Sequence, residues 1–124
     1  MGPGGPRPPT SADGVRVTHV MFAPAGRSWW HSHVDGQTLI VTAGKGIIHH
    51  EGIGTAIIGP GDVIKVPRNE WHWHGAAPDT FMSHLAINPG NWDSTVWRDL
   101  EVSEDEYRAK FARPTIISGR GGYD

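Results

Sequence analysis

The sequence predicts an all-β fold of the sandwich or barrel kind, with one short helix near its C-terminal end. Seven short runs of apolar or alternating residues follow one another between residues 15 and 87, and such alternation is typical of β-strands. Turn segments rich in glycine, proline and aspartate separate these runs, as in antiparallel sandwiches and barrels. Because no helical segment lies between the runs, parallel crossover connections are not expected.

The runs translate into strands in chain order. Their expected ranges are 15–23, 37–43, 46–50, 55–58, 62–66, 70–75 and 80–87. After them, Ser103 and Glu106 have capping-box spacing, which predicts a helix that Pro114 ends.

The chain is expected to form one domain between two tails. Residues 1–14 contain four prolines and four glycines and no periodic apolar pattern, so they cannot offset the entropy lost on ordering. We therefore expect a flexible tail over 1–14, a barrel with its terminal helix over 15–112, and a C-terminal tail over 113–124.

Composition restricts the partners and the location of the protein. The 124 residues include 11 Lys and Arg against 13 Asp and Glu, for a formal net charge of -2, and no cysteine. Basic residues form no cluster, so nucleic acid is not an expected partner. Without thiols, disulfides, thiolate metal sites and cysteine nucleophiles are excluded. Because no signal-type or membrane-spanning apolar segment is present, we expect a cytoplasmic protein that does not enter a membrane.

Three of the eight histidines are spaced to bind a metal ion. His31 and His33 are separated by one residue, so in extended backbone both imidazoles point to the same face. Gln37 follows a glycine, where the chain can turn and return an amide oxygen to the same point, and His72 lies on a later strand. Three imidazoles and one amide oxygen suit one divalent transition metal, Mn, Fe, Co, Ni or Zn, rather than Ca or Mg.

These residues belong to a longer pattern that resembles the cupin superfamily. The pattern is Gly26-x4-His31-x-His33-x3-Gln37-x6-Gly44, followed by Gly61-x5-Pro67 and then His72. The resemblance implies that His31, His33, Gln37 and His72 are the metal ligands. It also implies the cupin double-stranded β-helix, a jelly-roll barrel with the metal at its centre.

Two departures from the cupin motifs bear on structure and chemistry. Asn69 replaces a motif glycine, but asparagine tolerates positive φ, so the turn is still expected. Gln37 is neutral where the family usually has glutamate, so a bound divalent ion keeps its full +2 charge. That charge favours Lewis-acid polarisation and anion binding over oxygen activation.

A narrower resemblance covers about residues 17 to 111. The segments WWHSHVDGQTLIVTAGKG and PGDVIKVPRNEWHWHGAAPDTFMSHLAI look like bacterial cupins that include manganese-dependent hydroxynitrile lyases. The resemblance implies a lyase acting on a small organic substrate, with manganese as the preferred metal and pocket roles for His74 and His84. An ungapped count against these relatives also places Thr18 and Val20 in the pocket and turns His19 outward.

Strand alternation gives an independent argument for the pocket. His72 and His74 share a face, so both side chains are expected to point toward the metal. His84 is then a candidate for general acid or base catalysis with His74, since an unperturbed histidine pKa of about 6.5 suits proton transfer near neutrality. The alternative is that His84 only forms hydrogen bonds within the barrel. The face suited to a pocket floor comprises Met82, His84, Ala86 and Asn88.

The remaining aromatic and histidine residues suggest contacts outside the metal site. Six tryptophans are more aromatic surface than a monomer of this size readily hides, so a homo-oligomer, either a dimer or a tetramer, is expected. The alternative is packing under the terminal strand and helix, on the side that Trp71 and Trp73 share. His49 and His50 alternate beside a turn and are expected to be solvated loop residues.

Other functions are compatible with the same pattern. A cupin dioxygenase would bind substrate and oxygen at Fe or Mn, and a polyketide cyclase or isomerase is also open. A non-enzymatic metal- or ligand-binding module is the third possibility. All the enzymatic interpretations share a small-molecule substrate.

Overall fold

A computed structural model describes residues 14–90 and 92–116 of the chain. Its elements are β1 (Val15–Phe22), β2 (His31–His33), β3 (Gln37–Gly44), β4 (Gly46–His50), β5 (Gly54–Ile58), β6 (Val63–Val66), β7 (His72–Ala76), β8 (Met82–Pro89), β9 (Thr95–Trp97) and α1 (Glu104–Ala112). The tails expected over 1–14 and 113–124 lie largely outside the described residues. None of the helices in the described part of the chain has the length and apolar character needed to span a membrane.

The strands form two antiparallel sheets. One sheet has the order β1-β8-β3-β6, and the other has the order β5-β4-β7-β2-β9. Both sheets contribute inward side chains to one buried cluster, so the two sheets face each other across a shared interior. The all-β fold with one short C-terminal helix is confirmed.

The shared interior is apolar along part of its length. The two sheets contribute aliphatic side chains that are almost fully removed from solvent, and such burial is the main source of stability in a small domain. The cluster consists of Leu39, Val41, Ile48, Ala56, Ile58, Ile64, Val66, Ala76, Met82 and Ala86.

A second cluster lies on the outer face of the five-stranded sheet, beneath α1. It consists of Trp30, Ile47, Trp73, Val102 and Tyr107, with Trp71 packed against it. The Tyr107 hydroxyl donates to the backbone oxygen of Ala76 over 2.5 Å, which ties the helix to β7. Three of the six tryptophans therefore pack within the chain, as the alternative to an oligomer interface predicts. The other three, Trp29, Trp92 and Trp97, are 43%, 44% and 60% exposed.

His49 and His50 require a correction to the sequence interpretation. Both lie in β4, where they are 8% and 0% exposed, so they are not solvated loop residues. The alternation was predicted correctly, because His50 lies beside His72 on the inner face and His49 packs against Trp30 and Trp73 on the outer face. Burial on both sides follows from tertiary structure, since α1 covers the outer face.

Candidate metal centre

Three histidine side chains converge on the inner face of β2 and β7. The strand register places His31 directly opposite His72, and His33 follows two residues later on the same face. The metal-binding nitrogens of the three rings all lie within 4.8 Å of one another. All three side chains are buried. The convergence expected from the sequence is therefore present for these three residues.

Each imidazole is oriented by a hydrogen bond at Nδ1. His31 Nδ1 donates to the carbonyl oxygen of Trp29 over 2.8 Å, and His72 Nδ1 donates to that of Glu70 over 3.1 Å. His33 Nδ1 lies 3.1 Å from the hydroxyl oxygen of Thr95. Because a carbonyl oxygen can only accept a hydrogen bond, Nδ1 of His31 and Nδ1 of His72 carry the ring proton. The lone pair of each of these two rings is therefore on Nε2, the nitrogen that does not face the carbonyl.

Gln37 presents an amide oxygen beside the three rings. Its Nε2 donates to Asn88 Oδ1 over 3.3 Å, and Asn88 Nδ2 in turn donates to the carbonyl oxygen of Gly36 over 3.4 Å. Gln37 also lines the same cavity as His31 and His33. Because Asn88 accepts from the amide nitrogen of Gln37, the Gln37 side-chain oxygen Oε1 is the atom left available as a metal ligand.

The buried polar atoms fit a divalent metal. Within the described residues, Nε2 of His33, Nε2 of His72 and Oε1 of Gln37 are buried without a hydrogen-bond partner of normal geometry. Buried polar atoms are almost always satisfied, so several unsatisfied lone pairs in one place call for a missing partner. A nitrogen-rich set with one oxygen donor suits a first-row transition ion.

Burial keeps the three imidazoles neutral, which is the form that binds metal. It lowers the pKa of His31 and places the pKa of His72 well below its ordinary value. Burial, followed by the neighbouring charge of His31, lowers the pKa of His33 to about 4. At neutral pH the cluster therefore offers lone pairs rather than positive charges.

Two tight turns bring the ligand strands together. Gly36 has a φ of 78°, and a Cβ at this position would lie 3.0 Å from the carbonyl oxygen of Val66. Asn69 has a φ of 63°, as its replacement of a motif glycine predicts, and its backbone N–H donates to the carbonyl oxygen of His33 over 2.8 Å. The turn before β7 is thus attached to β2, the strand that carries two of the histidines.

A cavity of about 510 Å³ opens beside the cluster, between the edge strands β1 and β9 of the two sheets. The surface that the cavity exposes is mainly apolar, as is usual for small-molecule sites, although polar and charged side chains, among them Arg16, Arg27 and Asp93, also line it. Of the residues that the sequence assigns to the site, those lining the cavity are Thr18, Val20, His31, His33, Gln37, His74, His84, Ala86 and Asn88.

Met82 is a correction to the predicted pocket. It is 0% exposed and belongs to the apolar interior cluster, outside the lining of the cavity. Met82 does share the inner face with His84, but it lies at the far end of β8, opposite Phe22 and Gly44, whereas Asn88 pairs with Arg16. Alternation predicts the face of a strand and gives no information on depth along the barrel.

His74 and His84 meet across the cavity from opposite sheets. Their ring centroids are 4.9 Å apart, and both rings contact Phe22, at 5.5 Å and 6.1 Å. Among the described residues, His74 Nδ1 and both ring nitrogens of His84 are buried without a hydrogen-bond partner of normal geometry. Burial lowers the pKa of His84, and burial together with the neighbouring His84 lowers the pKa of His74 well below its ordinary value.

Comparison with known proteins agrees with this architecture. A sequence profile described as the cupin domain matches residues 18–88, which is more than half of the chain. The chain belongs to the cupin family. The motif-based recognition of a cupin is confirmed, and the three converging histidines occupy the positions that the cupin pattern assigns to metal ligands.

Individual relatives of this cupin include enzymes. An (R)-mandelonitrile lyase of Granulicella tundricola is 46% identical over 95 residues, which cover 76% of this chain and 72% of the relative. The crystal structure of a cupin-like protein of Thermotoga maritima is 42% identical with a TM-score of 0.71, covering 77% of this chain and 72% of that one. A polyketide cyclase of Streptomyces resistomycificus is 26% identical with a TM-score of 0.61, covering 76% and 66% of the two chains.

Several residues around the site of this cupin are not evident from the sequence. Phe22, Asp93, Thr95 and Trp97 line the cavity, and the ring of Trp97 lies 4.8 Å from that of His31. Alternation from Val20 would have identified Phe22, because the two residues share a face of β1. The β9 residues carry no such signal, since their strand is only three residues long.

Proposed function

We propose that this cupin is a metal-dependent lyase that cleaves or forms a cyanohydrin of a small organic aldehyde. The observation that carries the proposal is the pair of buried imidazoles, His74 and His84, in a cavity beside the convergent histidine cluster. A base and a metal site on the wall of one cavity are the two elements that such a reaction needs. The 46% identical mandelonitrile lyase supports the same assignment.

The proposed metal ligands are His31, His33, Gln37 and His72, binding one divalent transition ion per chain. Manganese is preferred, and Fe, Zn, Ni or Co also suit the donor set. When bound, the ion would supply Lewis-acid polarisation of the substrate oxygen and a positive charge for an anionic product. The neutral Gln37 leaves that charge undiminished.

The proton steps are assigned to His84, with His74 as its neighbour. A neutral imidazole takes the hydroxyl proton of the cyanohydrin, the O–H electrons form the carbonyl, and the carbon–carbon bond breaks with its electron pair leaving on cyanide. The resulting imidazolium then gives its proton to cyanide, so the products are an aldehyde and HCN. Burial suits both steps, because the lowered pKa keeps the base neutral beforehand and makes the imidazolium a stronger acid than usual.

The remaining cavity walls fit an apolar aldehyde substituent. Val20, Phe22 and Trp97 supply apolar and aromatic surface, while Thr18 and Asn88 supply hydrogen-bonding groups. Apolar walls with a few polar groups orient a small ligand without holding it irreversibly. An aromatic substituent, as in mandelonitrile, is therefore the first substrate to test.

The test is benzaldehyde release from mandelonitrile by the manganese-loaded protein. We expect release that disappears in His31→Ala and falls by about 10²- to 10⁴-fold in His84→Ala. His19→Ala should retain it, because His19 is exposed on the outer face of β1. Release at the background rate from the wild-type protein, with manganese bound, would reject cyanohydrin chemistry for this substrate. Oxygen uptake on substrate addition would then favour a dioxygenase.

A polyketide cyclase or isomerase is the second candidate, on a separate observation. The solved cyclase is 26% identical and covers 76% of this chain. The same polarising ion and the same imidazole base would serve enolisation and aldol chemistry of a poly-β-ketone. This candidate would be favoured if the protein converts a model β-diketone, if that conversion is lost in a variant without His84, and if the protein releases no cyanide from cyanohydrins.

We also propose that the protein is a cytoplasmic homo-oligomer, a dimer or a tetramer. Trp29, Trp92 and Trp97 stay exposed after the chain has folded, and aromatic residues are enriched in interface cores. Size-exclusion chromatography with light scattering tests the oligomeric state directly. A mass near 13.5 kDa at working concentration would contradict it.

A further inference from the structure

We propose that Thr95 is a positioning residue for the metal ligand His33, and that Asp93 sets the direction of the hydrogen bond between them. The proposal rests on the metal site proposed above. It concerns the Thr95 hydroxyl that contacts His33 Nδ1, and although Thr95 also lines the cavity, the positioning role needs no bound substrate.

The Nδ1 contact of His33 differs in kind from those of the other two histidines. His31 and His72 contact backbone carbonyl oxygens, which can only accept. His33 contacts the Thr95 hydroxyl over 3.1 Å, and a hydroxyl can either donate or accept. The tautomer of His33 therefore depends on where the hydroxyl proton of Thr95 goes.

Asp93 provides the acceptor for that proton. Its carboxylate accepts the backbone N–H of Thr95 over 3.0 Å, and it also lies within hydrogen-bonding reach of the Thr95 hydroxyl. These contacts lower the pKa of Asp93, and Arg16 lies 3.5 Å away, so the group is an anion at neutral pH. Because a carboxylate only accepts, the hydroxyl proton points to Asp93 and the hydroxyl oxygen accepts from His33 Nδ1–H.

These hydrogen bonds, from His33 Nδ1–H to Thr95 and from Thr95 to Asp93, leave the Nε2 lone pair of His33 facing the other two histidines. Among the described residues that atom is buried without a hydrogen-bond partner of normal geometry, and Gln37 is the polar side chain beside the ring. The strand pairing is consistent with this role, since β9 places Thr95 directly opposite His33 on β2. Outer partners of metal-binding histidines fix the ring orientation and tautomer, and their loss typically weakens metal binding about 10- to 100-fold.

The experiment compares Thr95→Val, which removes the hydroxyl at constant shape, with Thr95→Ser, which keeps it. Thr42→Val is the matched control. Thr42 is an exposed residue of β3 outside the histidine cluster, and its hydroxyl forms a 2.7 Å hydrogen bond with the Ser83 hydroxyl. Manganese affinity is measured by calorimetry. The tautomer of His33 is measured from its ring ¹⁵N shifts in the metal-free protein.

We expect Thr95→Val to weaken manganese binding about 10- to 100-fold and to shift His33 toward a mixture of tautomers. Thr95→Ser and Thr42→Val should match the wild-type protein in both measurements, and Asp93→Ala should move both in the direction of Thr95→Val. Unchanged affinity and tautomer in Thr95→Val would overturn the proposal, as would equal losses in the valine and serine variants. The tautomer is measured without metal or substrate. It therefore tests the hydrogen bonds between His33, Thr95 and Asp93 even if the proposed lyase activity is absent.

Discussion

Gln37 sets the charge of the proposed metal centre. Three neutral imidazoles and a neutral amide leave a divalent ion with its full charge, whereas a carboxylate at this position would reduce it by one unit. The side chain is also held by donation to Asn88 Oδ1, a contact that a carboxylate cannot make. Charge and orientation therefore both depend on the amide.

We expect Gln37→Glu to bind manganese more tightly and to bind an anion at the metal about tenfold more weakly. Tenfold corresponds to about 1.4 kcal/mol, well within the ~4 kcal/mol of two unit charges 4 Å apart at an effective dielectric constant of about 20. Calorimetry with manganese and then with azide measures both effects. Gln37→Leu is the control, because it removes a ligand without adding charge and should weaken manganese binding. Equal azide affinity in the glutamate variant would contradict the role of charge.

His84 should determine how the activity depends on pH. Burial lowers its pKa below 6.5, so the neutral base predominates at pH 7 and is lost only as the pH falls through the lowered value. After burial, the backbone of Leu85 raises this pKa and the charge of His19 on β1 lowers it. His84 in turn lowers the pKa of His74 on β7. We expect kcat/KM to be flat above pH 6.5 and to fall below it.

His84→Ala tests this assignment, since removal of a general base lowers the rate by about 10²- to 10⁴-fold and should abolish the acid limb. Manganese content must be measured at every pH, because protonation of His33, with a pKa of about 4, would release the metal. An acid limb that persists unchanged in His84→Ala at full metal content would assign the titration to another group.

The sequence predicts the metal ligands better than their surroundings. His31, His33 and His72 follow from alternation and from an ordered pattern, both of which are local properties of the chain. The burial of His49 depends on a helix more than fifty residues later, and Thr95 reaches His33 through a pairing across 62 residues. Such contacts depend on tertiary structure and leave no local signal.

The same distinction holds for the secondary structure elements. The seven predicted strands and the helix all exist, because each is long enough for period-two alternation or a capping signal to be visible. The three-residue strands β2 and β9 are stabilised by pairing with each other and, for β2, with β7. No strand that short can be distinguished from a loop by its own residues.

Helix α1 should depend on its N-cap. The Ser103 side chain accepts from the backbone N–H of Glu106 over 3.1 Å, as the capping-box spacing predicts. We expect Ser103→Ala to reduce the free energy of unfolding by about 1 kcal/mol, measured by urea denaturation. Ser103→Asn is the matched control, since asparagine caps as well as serine and adds no charge. If both variants lose the same stability, the loss does not come from the cap.

At the scale of the whole molecule, the interior is divided between aliphatic and imidazole side chains. Burial lowers the pKa of seven of the eight histidines, namely His31, His33, His49, His50, His72, His74 and His84. Each of them is held neutral in the folded chain and is free to take a proton when the chain unfolds. The protein therefore combines a polar, chemically usable interior with sensitivity to acid.

We expect the metal-free protein to lose stability as the pH falls from about 6.5 toward 4. Between these values the unfolded chain binds protons that the folded chain excludes, and each pKa unit of difference is worth about 1.4 kcal/mol. Added manganese should oppose the loss, because it binds the neutral imidazoles of the folded state. Urea denaturation at successive pH values, with and without manganese, measures both effects.

His49 allows the acid-induced loss of stability to be tested apart from the metal site, because it lies on the outer face of its sheet. Burial first, and then the charge of Lys110 on α1 and that of His50, lower its pKa to about 4, although Glu51 acts in the opposite direction. Its folded pKa is depressed, so its contribution is present above pH 6.5 and is lost as the pH falls toward 4. His49→Gln, which stays neutral, should therefore give a shallower dependence of stability on pH than the wild-type protein. A slope in His49→Gln as steep as that of the wild-type protein would show that protonation of this buried ring does not contribute to acid unfolding.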